Sequence, residues 1–468
     1  MSLFSASPPV SCSLASSLRS RGLGWGLMFV LASGCGSTEP EPQPTPPVED
    51  LNYTHPLPEG TAICGRPDLQ EMFPFSIRSK THPVLVHFYK EVERETAEQV
   101  LAATEKGWDF HVKRLGMREP LTDGGDCGPD EAFDVFVWKG HRSCLVNVVS
   151  SEPSTPWDDR RGFMVVDPWG PYGGAELEET VVHEMAHASQ AADDWYEAPI
   201  TFEMSAVFTD QVFADRYIKT YLDDFQAHPD WALDYNDDYD SWYMYGASLY
   251  LIYLKDRFYG GEPRFISDMW LKSRNPPGAE EDPTLNEPDF ADALDAMLTE
   301  KAGTTYVETV PEFSRWRWYT GDHTDDRHFR YFKNGLENLQ AAKIALAAQV
   351  EAKPGDIVIP SETAPMMLGS NYIELSAAAG NSEALRVSLS APADAGRRFV
   401  VQAVPGLTPD SDGETLDLST GPKEVRMAAD GKRTLIVTVL PTGAYDPDTR
   451  ENTRYPFSLS LSPMPTLH

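Results

Sequence analysis

The run His183-Glu-Met-Ala-His187 sets two imidazoles four positions apart. In an α-helix, at 3.6 residues per turn, that spacing puts both rings on one face, where they can share a single zinc ion. Glu184, rotated about 100° from His183, then stands where its carboxylate can take a proton from a water activated at the metal. Catalytic zinc keeps three protein ligands and one open position, so a third donor has to come from elsewhere. The candidate is Glu203, near the start of a second helical pattern running from Thr201 to about Asp224. Phe202, Ala206, Phe213 and Tyr217 would face the core from that helix. The stretch from Ala192 to Ile200 is long enough to reverse the chain and bring the two helices together. Asp210, about two turns beyond Glu203, could hold a ligand histidine by its second ring nitrogen, and Asp193 and Asp194 compete for that role.

The surrounding sequence is suited to positioning these groups. From Leu177 to Ala191 there is neither Gly nor Pro, and Val181, Val182, Met185, Ala186 and Ala188 are small or apolar. Glu176, Glu178 and Glu179 place acid in the first turn, where the helix dipole favours it. Before this helix, Gly162-Phe-Met-Val-Val-Asp167 reads as a short buried strand, ended by Pro168 and a Gly/Pro-rich turn to Gly174. Strand, turn and metal helix is the order a zinc peptidase needs, since an edge strand beside the site can bind an extended substrate. Upstream, Pro83–His87, Phe133–Trp138 and Cys144–Val149 complete a small sheet, with a helix over Glu91–Leu115. Downstream, Trp231–Trp242 reads as a loop, and Gly246–Phe258, Phe265–Leu271 and Phe290–Leu298 as helices, the helical half ending near Arg315–Tyr319. After about residue 360 the texture changes to short alternating runs such as Tyr372–Leu375, Leu385–Leu389, Phe399–Ala403, Thr434–Leu440 and Pro456–Leu461. Gly, Pro, Asp and Asn turns separate them, as in a β-sandwich. The fold class expected is α+β.

These motifs resemble those of the gluzincins, the thermolysin-like and aminopeptidase-like zinc peptidases that take two His from HExxH and a Glu from the next helix. The matching positions are His183, Glu184 and His187 in HEMAH, and Glu203 in Phe202-Glu-Met-Ser-Ala206, at a slightly shorter gap than the best-known families use. HEMAHASQ, the run from Phe202 to Asp210, and Tyr245-Gly-Ala-Ser-Leu-Tyr-Leu-Ile-Tyr-Leu254 together also look like a group of secreted bacterial metalloproteases with a C-terminal β-domain. The resemblance implies a zincin-like catalytic domain, Zn²⁺ held by His183, His187 and Glu203, Glu184 as general base, and a peptide or protein substrate. It also implies a tyrosine hydroxyl that stabilises the oxyanion; Tyr243 and Tyr245 both precede the apolar helix, and Tyr245 is the candidate by its place in Tyr-Gly-Ala-Ser-Leu. The domain scheme that follows is a lipoprotein signal peptide over 1–34, a Pro/Glu-rich tether over 35–60, a zincin-like metallopeptidase domain over 61–335, a connector over 336–360 and a β-sandwich over 361–468. A second class of function also fits: a zincin-like lipoprotein without turnover that binds a surface partner through its β-sandwich.

The 468 residues exceed one compact core and suit two folded domains plus processing segments. A net charge of −33 argues against nucleic-acid binding, which needs basic patches to neutralise phosphate, and against adhesion to anionic lipid by charge. Arg19 and Arg21 followed by apolar Leu23–Ala32 read as an export signal, too short to span a bilayer comfortably. Leu31-Ala-Ser-Gly-Cys35 resembles the lipobox of bacterial lipoproteins, which implies a lipid on Cys35 as the membrane attachment. With Gly36 next, the expected address is the outer membrane, and Thr38–Pro47 is a stiff extended tether. Cys12 leaves with the signal, so Cys64, Cys127 and Cys144 remain in an oxidising compartment, giving one disulfide, in any of three pairings, and one thiol. Cys64-Gly-Arg-Pro-Asp68 also resembles the cysteine switch of matrixin propeptides, against which a structural disulfide is the simpler use of Cys64.

Overall fold

A computed structural model of the chain describes residues 53–54, 73–89, 92, 94–122, 130–138, 143–147, 155–168, 175–236, 241–278, 285–330, 332–377, 384–392, 394–408, 410–449 and 451–464. The expected signal peptide, the lipobox with Cys35, the tether apart from Tyr53–Thr54, Cys64 and Cys127 lie outside the described residues. No helix among those described is long and apolar enough to cross a membrane. Helices and several sheets together make the chain α+β. The contacts of the described residues divide them into two compact units, one lying within 53–113 and 118–196, the other within 114–117 and 197–464.

The first unit is built on a mixed six-stranded sheet in the order β1-β2-β3-β4-β6-β5, with β1 at Tyr53–Thr54, β2 at Phe75–Arg78, β3 at Val84–Phe88, β4 at Phe133–Val137, β5 at Cys144–Asn147 and β6 at Gly162–Val166. β3, β4 and β6 run parallel (Val84 opposite Phe133, Val135 opposite Met164) and are buried along their whole length. That is why they appear as continuous apolar runs in place of an alternating pattern. Among the described residues β5 closes one edge antiparallel to β6, with Cys144 opposite Val165, and Cys144 is disulfide-bonded. Helix α1 (Arg94–Trp108) continues as a π-helical turn, Asp109–Leu115, so the single helix expected over 91–115 is two geometries end to end. Helix α2 (Ala175–Asp193), which carries HEMAH, lies against α1, β5 and β6. Gly107 permits the close approach of the helices: a Cβ there would stand 3.2 Å from Met185 Cγ.

The second unit holds the remaining helices and two further sheets. The helical pattern expected to run from Thr201 to about Asp224 is broken. α3 spans Pro199–Ala214 and stops at Asp215, which takes the left-handed conformation (φ 51°), and α4 restarts at Lys219–Ala227. Tyr217, read as a core position of one long helix, is buried in the link instead, its hydroxyl donating to Phe329 O. Next come α5 (Tyr243–Gly246), α6 (Ser248–Phe258), α7 (Phe265–Lys272), α8 (Phe290–Ala302), α9 (Tyr306–Trp318) and α10 (Leu336–Ala341). α4 meets α5 at Gly246, where a Cβ would stand 2.3 Å from Tyr221 O, so no other residue fits.

Nine strands follow: β7 (Ala348–Glu351), β8 (Gly355–Val358), β9 (Ser370–Ser376), β10 (Leu385–Ser390), β11 (Arg397–Val404), β12 (Glu414–Leu416), β13 (Lys423–Val425), β14 (Lys432–Pro441) and β15 (Ser458–Pro463). They form a five-stranded sheet, β12-β11-β14-β9-β7, and a four-stranded one, β13-β10-β15-β8. Strand alternation assigns their faces. Leu435 and Val437 of β14 join Ile373 and Val401 in one core with Val387, Leu459 and Leu461 of the smaller sheet. Ile436 points the other way, into a cluster with Trp318, Tyr319 and Tyr372. β14 is therefore covered on both faces, and its run Thr434–Leu440 is nearly all apolar for that reason. A buried hydroxyl chain fastens α9 to this sheet: Ser314 Oγ, Ser370 Oγ and Thr438 Oγ1 are spaced at 2.8 Å, and the Tyr372 hydroxyl donates to Ser314 O at 2.6 Å. The change of texture near residue 360 thus falls inside a single compact unit.

Candidate metal centre

On α2, at about 100° per residue, His183, His187 and Gln190 fall within an arc of about 60°, away from the face that Val182 and Met185 turn to α1. The C-terminal end of α2 is held from the segment before β6. Arg160 N donates to Ala191 O at 2.8 Å, Trp195 N donates to Asp158 O at 2.7 Å, and the Arg118 guanidinium donates to Ala192 O. A cation on the last carbonyls also suits the helix dipole. Arg118 and Arg160 are themselves held by two fully buried carboxylates, Asp159 (3.2 Å) and Asp158 (2.8 Å).

His187 is 2 % exposed and His183 is half-buried. Their rings meet edge to face with centroids 4.6 Å apart, and Nε2 of one stands 3.1 Å from Nε2 of the other. His187 Nδ1 is 2.7 Å from Gln190 Oε1. An amide oxygen can only accept, so Nδ1 carries the hydrogen and Nε2 presents its lone pair. Two nitrogens at the usual zinc distance of about 2.0–2.1 Å around a tetrahedral ion lie about 3.3 Å apart. The observed 3.1 Å is close to that spacing. Glu184, beside them on the helix, is 7 % exposed.

Gln190, three residues beyond His187 on the same helix, is the partner of His187 Nδ1. Asp194 Oδ1 accepts from Tyr196 N at 3.1 Å in the turn after α2.

Glu203 sits in the first turns of α3, a helix buried continuously from Ile200 to Val212. Its rotation is fixed by Trp270, whose Nε1 donates to Ser205 Oγ at 3.2 Å and whose ring packs 5.0 Å from that of Phe202, and by Gln211 Nε2, which donates to Ser248 Oγ at 2.8 Å. Glu203 is 0 % exposed, and a carboxylate buried to that degree is costly unless a positive charge or a metal balances it. Among the described residues of the second unit, two overlapping sets of side chains could each bring three ligand atoms within 4.8 Å of one another: Glu287, Asp289 and Asp292; and Asp289, Asp446 and Asp448.

Tyr245 lies in α5, buried, its ring stacked 5.2 Å from Tyr221 and edge-on to Trp242 at 5.1 Å. Tyr243, the other tyrosine before the apolar helix, donates its hydroxyl to Ala232 O at 2.8 Å, and so is occupied by structure. No protein-family model and no curated protein matches the chain.

Proposed function

We propose that this chain is a zinc-dependent peptide-bond hydrolase in which His183, His187 and Glu203 hold the metal. The observation that carries the reading is the pair of Nε2 atoms 3.1 Å apart on α2, one of them fixed in its metal-binding tautomer by Gln190. All three ligands are of the borderline nitrogen and carboxylate type that catalytic zinc takes. When bound, zinc supplies Lewis acidity that polarises a peptide carbonyl and lowers the pKa of water. The Glu184 carboxylate accepts a proton from the attacking water and delivers it to the leaving amine. The Tyr245 hydroxyl is assigned as a donor to the developing oxyanion. β5, the last strand of the sheet among the described residues and beside α2, is the strand to which an extended peptide would add.

On the same reading, the mixed sheet and the helices that carry the ligands form a zincin-like catalytic domain. The two C-terminal sheets, which share one core, form a β-sandwich, and the chain is held outside the cytoplasm by a lipid on Cys35. The test is cleavage of a peptide library by the purified chain, with and without chelator, and by Glu184→Gln. Chelator-sensitive cleavage that Glu184→Gln loses while keeping its zinc is the expected result. A Glu184→Gln chain that cleaves at the wild-type rate would refute the mechanism.

A further inference from the structure

Asp289 caps α8: its Oδ1 accepts from Asp292 N at 2.9 Å. The residue is 2 % exposed, and its other oxygen, Oδ2, is buried with no hydrogen-bond partner among the described residues. One Asp289 oxygen lies within 4.8 Å of a carboxylate oxygen from each of Asp446 and Asp448, in the loop between β14 and β15. Asp448 Oδ2 is likewise buried and without a partner among the described residues. Asp446 shapes its own turn, accepting from Asp448 N at 2.8 Å, Thr449 N at 3.2 Å and the Thr449 hydroxyl at 3.1 Å. The loop is pinned on either side. The Tyr445 hydroxyl donates to Asp234 Oδ2, and Arg454 reaches Asp230 at 2.5 Å and Ala364 O at 2.7 Å.

The charged neighbours acting on Asp289 are Asp448 and Asp292, and those acting on Asp448 are Asp446 and Asp234, all of them acids. Folding thus gathers three acidic side chains and leaves Asp289 Oδ2 and Asp448 Oδ2 buried without a hydrogen-bond partner among the described residues. A divalent cation would satisfy those oxygens and offset the like charges.

We propose that Asp289, Asp446 and Asp448 bind a calcium ion that joins the start of α8 to the β14–β15 loop. The ligand set is all oxygen, which selects a hard cation over zinc. Three oxygens within 4.8 Å of one another share a point no more than about 2.8 Å from each, so a small inward shift brings all three to the calcium distance of about 2.3–2.6 Å. Calcium tolerates an irregular set completed by water, whereas magnesium demands a near-ideal octahedron. The site is separate from the histidine pair and does not depend on how that pair is used.

The test uses the full chain, stripped with EGTA, given back zinc, and titrated with Ca²⁺ alone by calorimetry and thermal unfolding. One calcium per chain should bind with Kd below about 1 mM and raise Tm by about 3 °C or more. Asp448→Asn and Asp289→Asn, the latter keeping a capping side chain, should abolish binding. With zinc restored and no calcium added they should raise Tm, because each removes a repelling charge. This inversion of sign also shows that the variants fold. The proposal is overturned if about 5 mM Ca²⁺ leaves Tm unchanged and gives no heat, or if both variants bind as the parent does.

Discussion

The two ligand clusters of this chain differ in how the fold brings them together. His183, His187 and Gln190 lie on one helix face within a stretch of eight residues, their geometry set by helical repeat alone. Asp289 and the Asp446–Asp448 pair come from a helix cap and a distant loop, and only tertiary packing puts their oxygens within 4.8 Å. The first cluster offers nitrogen from two rings, one of which, His187, is oriented by its hydrogen bond to Gln190. The second offers only oxygen, from carboxylates that repel each other. On the reading proposed, local geometry supplies a pair suited to a borderline metal, while long-range geometry supplies a set suited to a hard one.

That contrast can be broken or sharpened in order of expected effect. Glu184→Gln should lower peptide turnover by about 10²–10⁴-fold, the usual contribution of a general base. Zinc content measured on the same sample should stay at the wild-type level. Gln190→Leu, which removes the oxygen that fixes the His187 tautomer, should weaken zinc binding by about 10–100-fold in competition with a chromophoric chelator. An unchanged affinity would mean that the Gln190 contact does not orient a ligand. Asp448→Asn should do the opposite of a ligand-site lesion when calcium is absent, raising Tm, as argued above.

A fourth prediction concerns His111, which is fully buried in the π-helical turn with neither ring nitrogen partnered among the described residues. Burial drives its pKa down to about 3 from an ordinary 6.5. The unfolded chain therefore takes up a proton near pH 6.5 that the folded chain refuses until about pH 3. By linkage, stability should be full above pH 6.5 and fall progressively as pH drops from there towards 3. Denaturant midpoints at pH 7 and pH 5 should separate wild type from His111→Leu, the variant losing less on acidification. Equal losses would contradict the assignment.

What could be read in the sequence follows the same division between local and distant. HEMAH, its helix and the buried strand before it were legible because periodicity and turn residues are local signals, and Gly162–Val166 and Ala175–Asp193 match that reading closely. The long strands β9, β10, β11, β14 and β15 were legible as alternating or apolar runs. The stop after Ala214 was not, because it depends on Asp215 adopting a left-handed conformation, and nothing in the apolar pattern marks it. Short β12 and β13 carry too few side chains for a pattern. The anchoring of α2 by Arg118, Asp158, Asp159 and Arg160 joins segments far apart in the chain, so no spacing rule announces it. The acidic triad was illegible for the same reason.

The most direct test of the central claim is X-ray absorption at the zinc edge on the purified full chain. The account predicts one zinc per chain in a first shell of two imidazole nitrogens and oxygen, with the imidazole signal lost in His187→Ala. A shell containing sulfur, or an imidazole signal unchanged by His187→Ala, would contradict it.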